Sequence, residues 1–241
     1  MGTRSRQNRA ILGAAAVHVL TATGAAFGLF ALLSVCEGAW ATAFVWLGVA
    51  LFVDGIDGPL ARMVDVKRVL PRFSGEELDH LVDYLTYVTV PAFMVARADL
   101  VPESLRLPLA ALIMLVSLYH FSDTESKTAD GYFVGFPAIW NVVVLYCFVL
   151  DTPPVLSAAI IAVCAVFTFI PLTWVHPVRV RRLRILTLIL VSAWAIAAVS
   201  AILRGFPGTA LDQAIFAVAA VYMIAVGFSA SAGGNPFHPV E

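Results

Sequence analysis

Asp54-Gly55-Ile56-Asp57-Gly58-Pro59-Leu60-Ala61-Arg62, followed after twelve residues by Gly75-Glu76-Glu77-Leu78-Asp79-His80-Leu81-Val82-Asp83, decides how this chain is read. Four aspartates stand at i, i+3 and then i, i+4, at the edge of very apolar sequence. A carboxylate at membrane depth is unfavourable by several kcal/mol unless it faces water, a partner or a metal. Four of them together repel one another, so the group calls for a cation.

The surroundings are those of an integral membrane protein. Of 241 residues, 61% are hydrophobic and 13% charged, and the mean hydropathy is +0.90; globular domains sit near half apolar and a quarter charged. The apolar runs are too long, and alternate too little, for barrel strands. The expected fold is therefore an all-α polytopic membrane protein, a single domain over residues 1–241, with about eight spans near 10–34, 39–61, 79–97, 106–122, 133–150, 154–175, 184–203 and 211–229. Twelve basic residues then fall on one side: Arg4, Arg6, Arg9, Arg62, Lys67, Arg68, Arg72, Lys127, Arg179, Arg181, Arg182 and Arg184. Only Arg97, Arg106 and Arg204 fall on the other. By the positive-inside rule both termini and the aspartates face the cytoplasm. The first apolar stretch is a span, not a cleaved signal peptide. The net charge of −1 says little, because the distribution of charge matters more than its sum, and no nucleic-acid partner is expected. Cys36, Cys147 and Cys164 lack metal-ligand spacing and read as small buried hydrophobes.

Along the first span, Gly24 and Gly28 form a Gly-xxx-Gly pair that lets another helix come close. Thr21 and Thr23 are placed to face a polar site, and His18 reads as an interfacial or packed histidine. Asp54, Asp57 and Ala61 share one helix face by their spacing. Gly58 at the edge of that face leaves a shallow place where a bulky group can approach the backbone. Pro59 is expected to free the Gly55 carbonyl and kink the helix. The connection 64–74 is a polar loop whose Lys67, Arg68 and Arg72 set topology and form a cationic rim. Gly75 opens the next helix, with Glu76 and Glu77 in its first turn, where acids suit the helix dipole. If the two helices are antiparallel neighbours, the two aspartate pairs meet near the membrane surface. Further on, Asn141 inside a span is expected to hydrogen-bond between helices or face a site. The loop 120–131 reads as solvated, 179–184 as topogenic and headgroup-contacting, and 233–239 as a polar tail.

Hard divalent cations take oxygen ligands, and Mg²⁺ or Mn²⁺ suits carboxylate and phosphate oxygens. Four aspartates from two helices can hold two such ions against a diphosphate. No His or Cys stands in the pattern as a zinc ligand, and there is no Gly-x-x-x-x-Gly-Lys phosphate loop and no Ser-His-Asp arrangement. A transporter of divalent cations, lined by the same aspartates, is the reading from another class; it leaves Gly58, Ala61 and Arg62 without a use.

Asp54-x2-Asp57-Gly58-x2-Ala61-Arg62…Gly75-x3-Asp79-x3-Asp83 resembles the signature of the CDP-alcohol phosphotransferase family, with all eight fixed positions present. The motif covers about thirty residues. The twelve-residue spacer, where most of the family has eight, the Phe73–Tyr84 run, and eight spans against a six-helix family core resemble the members that use choline. The resemblance implies that CDP-diacylglycerol and choline give phosphatidylcholine and CMP. It implies Asp54, Asp57, Asp79 and Asp83 as ligands of two Mn²⁺ or Mg²⁺ ions. Asp83 is also implied as the general base, a choice that spacing alone leaves open between close carboxylates. Gly58, Ala61, Arg62 and Gly75 would shape the CDP pocket, with Thr21 and Thr23 beside it. A bacterial inner-membrane homodimer is implied as well. Choline donates no hydrogen bond, so aromatic faces and a nearby acid are its expected partners: Tyr84, Tyr87, Tyr119, Trp140 and Glu77 are the candidates, with Asn141. Other members of the family accept serine, inositol or glycerol phosphate.

Overall fold

In a membrane every backbone amide must find its partner within the chain, which leaves helices as the economical answer to this composition. The computed structural model describes residues 2–124, 133–170, 173–174 and 184–231. Lys127, Asp130, Tyr132, Arg179, Arg181, Arg182 and the 233–239 tail lie outside the described residues. Two compact units divide the chain, Met1–Val90 and Pro91–Glu241.

The first unit holds α1 (Gly2–Cys36), α2 (Trp40–Met63), the short α3 (Val66–Val69) and α4 (Gly75–Asp83), which runs directly into a π-helical turn at Tyr84–Thr89. A three-residue link at Gly38, with φ +70°, turns α1 back along α2. Their contact is made of small side chains, since lipid tails give no hydrophobic drive and close approach must do the work. Ala14, Ala31 and Ala43 are fully enclosed, and farther along Phe27 stacks on Trp46 with centroids 6.0 Å apart. The glycine pair has the expected purpose. A Cβ on Gly24 would stand 2.5 Å from Val82 Cγ1, and one on Gly28 would stand 2.7 Å from Leu85 Cδ2. The aspartate-bearing helix thus lies directly against the glycines of α1. At the polar end, Ala14 and Val17 of α1 close over Val66 of α3, with Leu60, Ala61 and Val64 around them.

The second unit continues the chain with α5 (Val90–Arg97, its first residue shared with the first unit), α6 (Arg106–Ser122), α7 (Trp140–Leu150), α8 (Pro154–Phe167), α9 (Arg184–Arg204) and α10 (Ala210–Ser231). Here α6 packs on α8, while α7 and α9 pack on α10, around the rings of Tyr146, Trp194 and Phe216. Thr209 caps α10: Asp212 accepts from its amide at 3.0 Å and its hydroxyl at 2.7 Å.

Arg6–Cys36, Trp40–Met63, Glu103–Ser122 and Arg184–Arg204 are long and apolar enough to cross a membrane, and shorter apolar helices accompany them. Leu12, Val19, Phe52, Leu115, Ile185 and Leu203 stand exposed on the outer faces of such helices, as lipid-facing side chains do. The protein is an all-α polytopic membrane protein.

Several expected spans are revised. The third begins at Gly75, not 79, and carries the π-helical turn before continuing to Arg97. The fifth, expected over 133–150, is helical only from Trp140. Gly135 takes φ +76° and Ala138 φ +54° on either side of Pro137, which lacks an amide donor and disfavours helix before it. Phe133–Val134 instead forms an antiparallel pair of two-residue strands with Thr173–Trp174, a small departure from an all-helical chain. The sixth span ends at Phe167 instead of 175. The first is longer than expected, starting at Gly2.

Candidate metal and substrate site

Helix α2 carries Asp54 and Asp57 near its C-terminal end, and α4 carries Asp79 one turn inside its start. One carboxylate oxygen from each of Asp54, Asp57 and Asp79 lies within 4.8 Å of the other two. The spacing that puts Asp54 and Asp57 on one face of α2 therefore meets α4 as expected. Asp57 is 6% exposed, and its Oδ2 is enclosed without a hydrogen-bond partner. Thr21 of α1, itself buried, neighbours its side chain. Three converging carboxylates with an orphaned buried oxygen among them form a donor set that fits a hard divalent cation. Asp83, one turn after Asp79 and half-buried, stands outside this group of three.

Tyr87 was not placed by sequence where the structure has it. Its hydroxyl donates to Asp54 Oδ2 at 2.7 Å, so it holds a candidate ligand. The π-helical turn Tyr84–Thr89 is where Tyr87 sits, and such turns re-aim side chains near functional sites. Ser74 was likewise missed. It is the N-cap of α4, accepting from the Glu77 amide at 3.2 Å, and its Ser-x-x-Glu pattern is legible in the sequence as a capping signal.

The small residues of the motif divide by environment. A Cβ on Gly58 would meet nothing nearer than Arg62 Nη1 at 3.5 Å, ordinary contact distance, so the space over Gly58 is open. A Cβ on Gly75 would come 3.2 Å from His18 Cε1. Ala61 is half-buried and packs against the Ala14–Val17–Val66 cluster. Arg62 is exposed and forms no ion pair among the described residues. Thr23 is half-buried and its hydroxyl donates back to Leu20 O at 2.6 Å. Helix α2 passes through Pro59 unbroken to Met63.

Of the aromatic and polar candidates for a quaternary ammonium, Tyr84, Tyr87 and Glu77 are in the first unit with the carboxylates. Tyr84 is half-buried and Glu77 exposed. The other three belong to the second unit. Tyr119 packs against Phe169 with centroids 4.8 Å apart. Trp140 is fully buried, its indole N–H donating to Ser117 Oγ at 2.7 Å. Asn141 lies in the first turn of α7, buried, and accepts from the Val142 amide at 2.9 Å.

The carboxylates of Asp54, Asp57 and Asp79, set between packed apolar helices with open space over Gly58 and the exposed Arg62 one turn on, form a donor set that fits a divalent cation. No model of a known protein family matches the chain. Among curated proteins it is similar to the phosphatidylcholine synthase of Mesorhizobium japonicum, 43% identical over 206 residues, covering 86% of this chain and 73% of the relative. It is similar to that of Agrobacterium fabrum at 38% over 211 residues, covering 88% of each, and to that of Pseudomonas aeruginosa at 42% over 180 residues, covering 75% of this chain and 76% of the relative. The chain belongs to the phosphatidylcholine synthase family. It is an enzyme of phospholipid biosynthesis, a phosphatidyltransferase.

Proposed function

We propose that the chain transfers the phosphatidyl group of CDP-diacylglycerol to choline, giving phosphatidylcholine and CMP. The observation that carries this reading is the convergence of Asp54, Asp57 and Asp79 within 4.8 Å around the orphaned Asp57 Oδ2. The relatives' name supports the product. Asp54, Asp57, Asp79 and Asp83 would hold two Mn²⁺ or Mg²⁺ ions, which when bound neutralise diphosphate charge and so ease departure of CMP. Arg62, exposed and without an ion pair among the described residues, binds a phosphate oxygen. Gly58 and Ala61 leave room for the nucleotide against α2. Asp83, outside the group of three, takes the proton of the choline hydroxyl as its oxygen bonds to the lipid-linked phosphorus. The bond from that phosphorus to the CMP oxygen breaks, and CMP leaves as a phosphate monoester. Tyr84, next to Asp83 in the chain and half-buried, offers a ring face for the trimethylammonium group, with Glu77 as the acid.

The excess of basic residues beside the aspartates supports a cytoplasmic active site in the bacterial inner membrane, with both termini on that side; we take the active form to be a homodimer. The test is purified protein with CDP-diacylglycerol, Mn²⁺ and one alcohol at a time, following CMP release and the lipid formed. Phosphatidylcholine formed from choline is the expected result. Product from serine, inositol or glycerol phosphate in its place would overturn the acceptor, and metal flux without CMP release would overturn the enzyme reading.

A further inference from the structure

His18 stands one helical turn before Thr21 on α1, and Thr21 is the α1 neighbour of Asp57. Its ring fills the space over Gly75: a Cβ there would come 3.2 Å from His18 Cε1 and 3.6 Å from Nδ1. Phe73 flanks the same ring, with centroids 6.4 Å apart. The Nε2 atom is enclosed and has no hydrogen-bond partner. An imidazole nitrogen buried this way is unfavourable unless something else engages it. Among the described residues of this unit, Asp57 Oδ2 and His18 Nε2 are the two enclosed side-chain atoms without a partner, one beside Thr21 of α1 and the other a turn before it.

Their order along the helices assigns the second one. Gly75 is four residues before Asp79, about 6 Å along α4, and His18 is three before Thr21, about 4.5 Å along α1. Both displacements run toward the polar end, where Ala14 and Val17 of α1 meet α3 and where Lys67, Arg68 and Glu76 are exposed. A lipid-linked nucleotide has its acyl chains at the apolar end and its diphosphate at the carboxylates, so the nucleoside extends toward the polar end. We infer that His18 Nε2 is a binding group for the nucleoside half of the substrate, hydrogen-bonding its ribose or base, and that Gly75 lacks a side chain in order to seat that imidazole. This rests on the CDP-lipid reading above. His18 is a binding residue, separate from the carboxylates that meet the phosphates.

The experiment measures binding of CMP by calorimetry to the full chain in detergent with Mn²⁺, and binding of inorganic pyrophosphate as the control that lacks a nucleoside. H18L keeps the bulk and removes the nitrogen; H18Q returns an amide near the Nε2 position. H18L is expected to weaken CMP about tenfold or more, as loss of a hydrogen bond in an enclosed site does, with Mn²⁺ and pyrophosphate affinities unchanged and CMP binding largely recovered in H18Q. Wild-type CMP affinity in H18L would overturn the inference, as would equal weakening of CMP and pyrophosphate. If H18L does not elute as folded protein, H18Q against H18N decides: an asparagine amide reaches only the Nδ1 position, so equal CMP affinity in the two overturns it. Failure of the wild-type chain to bind CMP would instead sink the CDP-lipid reading itself.

Discussion

The Tyr87 hydroxyl donates to Asp54 Oδ2 at 2.7 Å, from the π-helical turn that follows α4 to the aspartate face of α2. Hydrogen bonds from outside orient a metal-binding carboxylate and fix which oxygen is offered. Tyr87→Phe deletes the hydroxyl and keeps the ring. The expected outcome is a Mn²⁺ concentration for half-maximal activity raised by about 10-fold or more, with the KM for choline unchanged. A raised choline KM at an unaltered Mn²⁺ requirement would return Tyr87 to the choline cage that sequence alone suggested.

Asp57 carries the enclosed, partnerless Oδ2. With metal removed, a buried carboxylate beside Asp54 is held at a cost, so Asp57→Asn should leave the EDTA-treated protein as stable as wild type or more so. A ligand present at a hundred times its Kd stabilises the folded state by about 2.7 kcal/mol. Thermal unfolding with and without Mn²⁺ should then show wild type gaining several degrees and the variant gaining none. Equal gains in both would remove Asp57 from the ligand set.

How far the sequence reached depends on whether a feature is periodic or local. The spacing of Asp54, Asp57 and Ala61 and the Gly24–Gly28 pair follow helix geometry; the structure brings Asp79 to the first and a close-packed helix, through Val82, to the second. The fifth span failed for a local reason: hydropathy is blind to the backbone at Gly135, Pro137 and Ala138, where the helix start is delayed to Trp140. The hydrogen bond from Tyr87 to Asp54 was hidden for a different reason. A regular α-helix places it one turn from Tyr84, whereas the π-helical turn changes the angle at which it leaves the helix, and no residue type announces such a turn. His18 and Gly75 are fifty-seven residues apart, and only packing shows that one seats the other.

Two glycines of this unit should respond oppositely to the same substitution. Gly24→Ala places a methyl 2.5 Å from the buried Val82 side chain, and overpacking of this kind costs about 1–3 kcal/mol. Gly58→Ala meets only Arg62 at contact distance, and relieving a mid-helix glycine contributes about 0.5–1 kcal/mol of stability. The expected pattern is a lowered melting temperature for Gly24→Ala, and for Gly58→Ala an unchanged or raised one with CDP-diacylglycerol turnover lost. Full activity in Gly58→Ala would mean that no substrate approaches the backbone there.

Among the described residues one oxygen each of Asp54, Asp57 and Asp79 converges within 4.8 Å, and Asp83 follows Asp79 by one turn of α4. Asp83 is proposed both as a ligand and as the base, and its second role should be separable because the three converging carboxylates can still hold a cation without it. Asp83→Asn keeps the shape of the side chain and removes its capacity as a base. Turnover with choline should fall by about 10²-fold or more, the typical contribution of a positioned base. Mn²⁺ affinity should change far less than it does in Asp57→Asn, and CMP binding should persist. Measuring Mn²⁺ binding by calorimetry alongside CMP release separates the two roles, because a lost base lowers the rate with the metal still bound. If Asp83→Asn loses Mn²⁺ as completely as Asp57→Asn does, then ligation is the whole of its role, and the proton of choline must leave by another group.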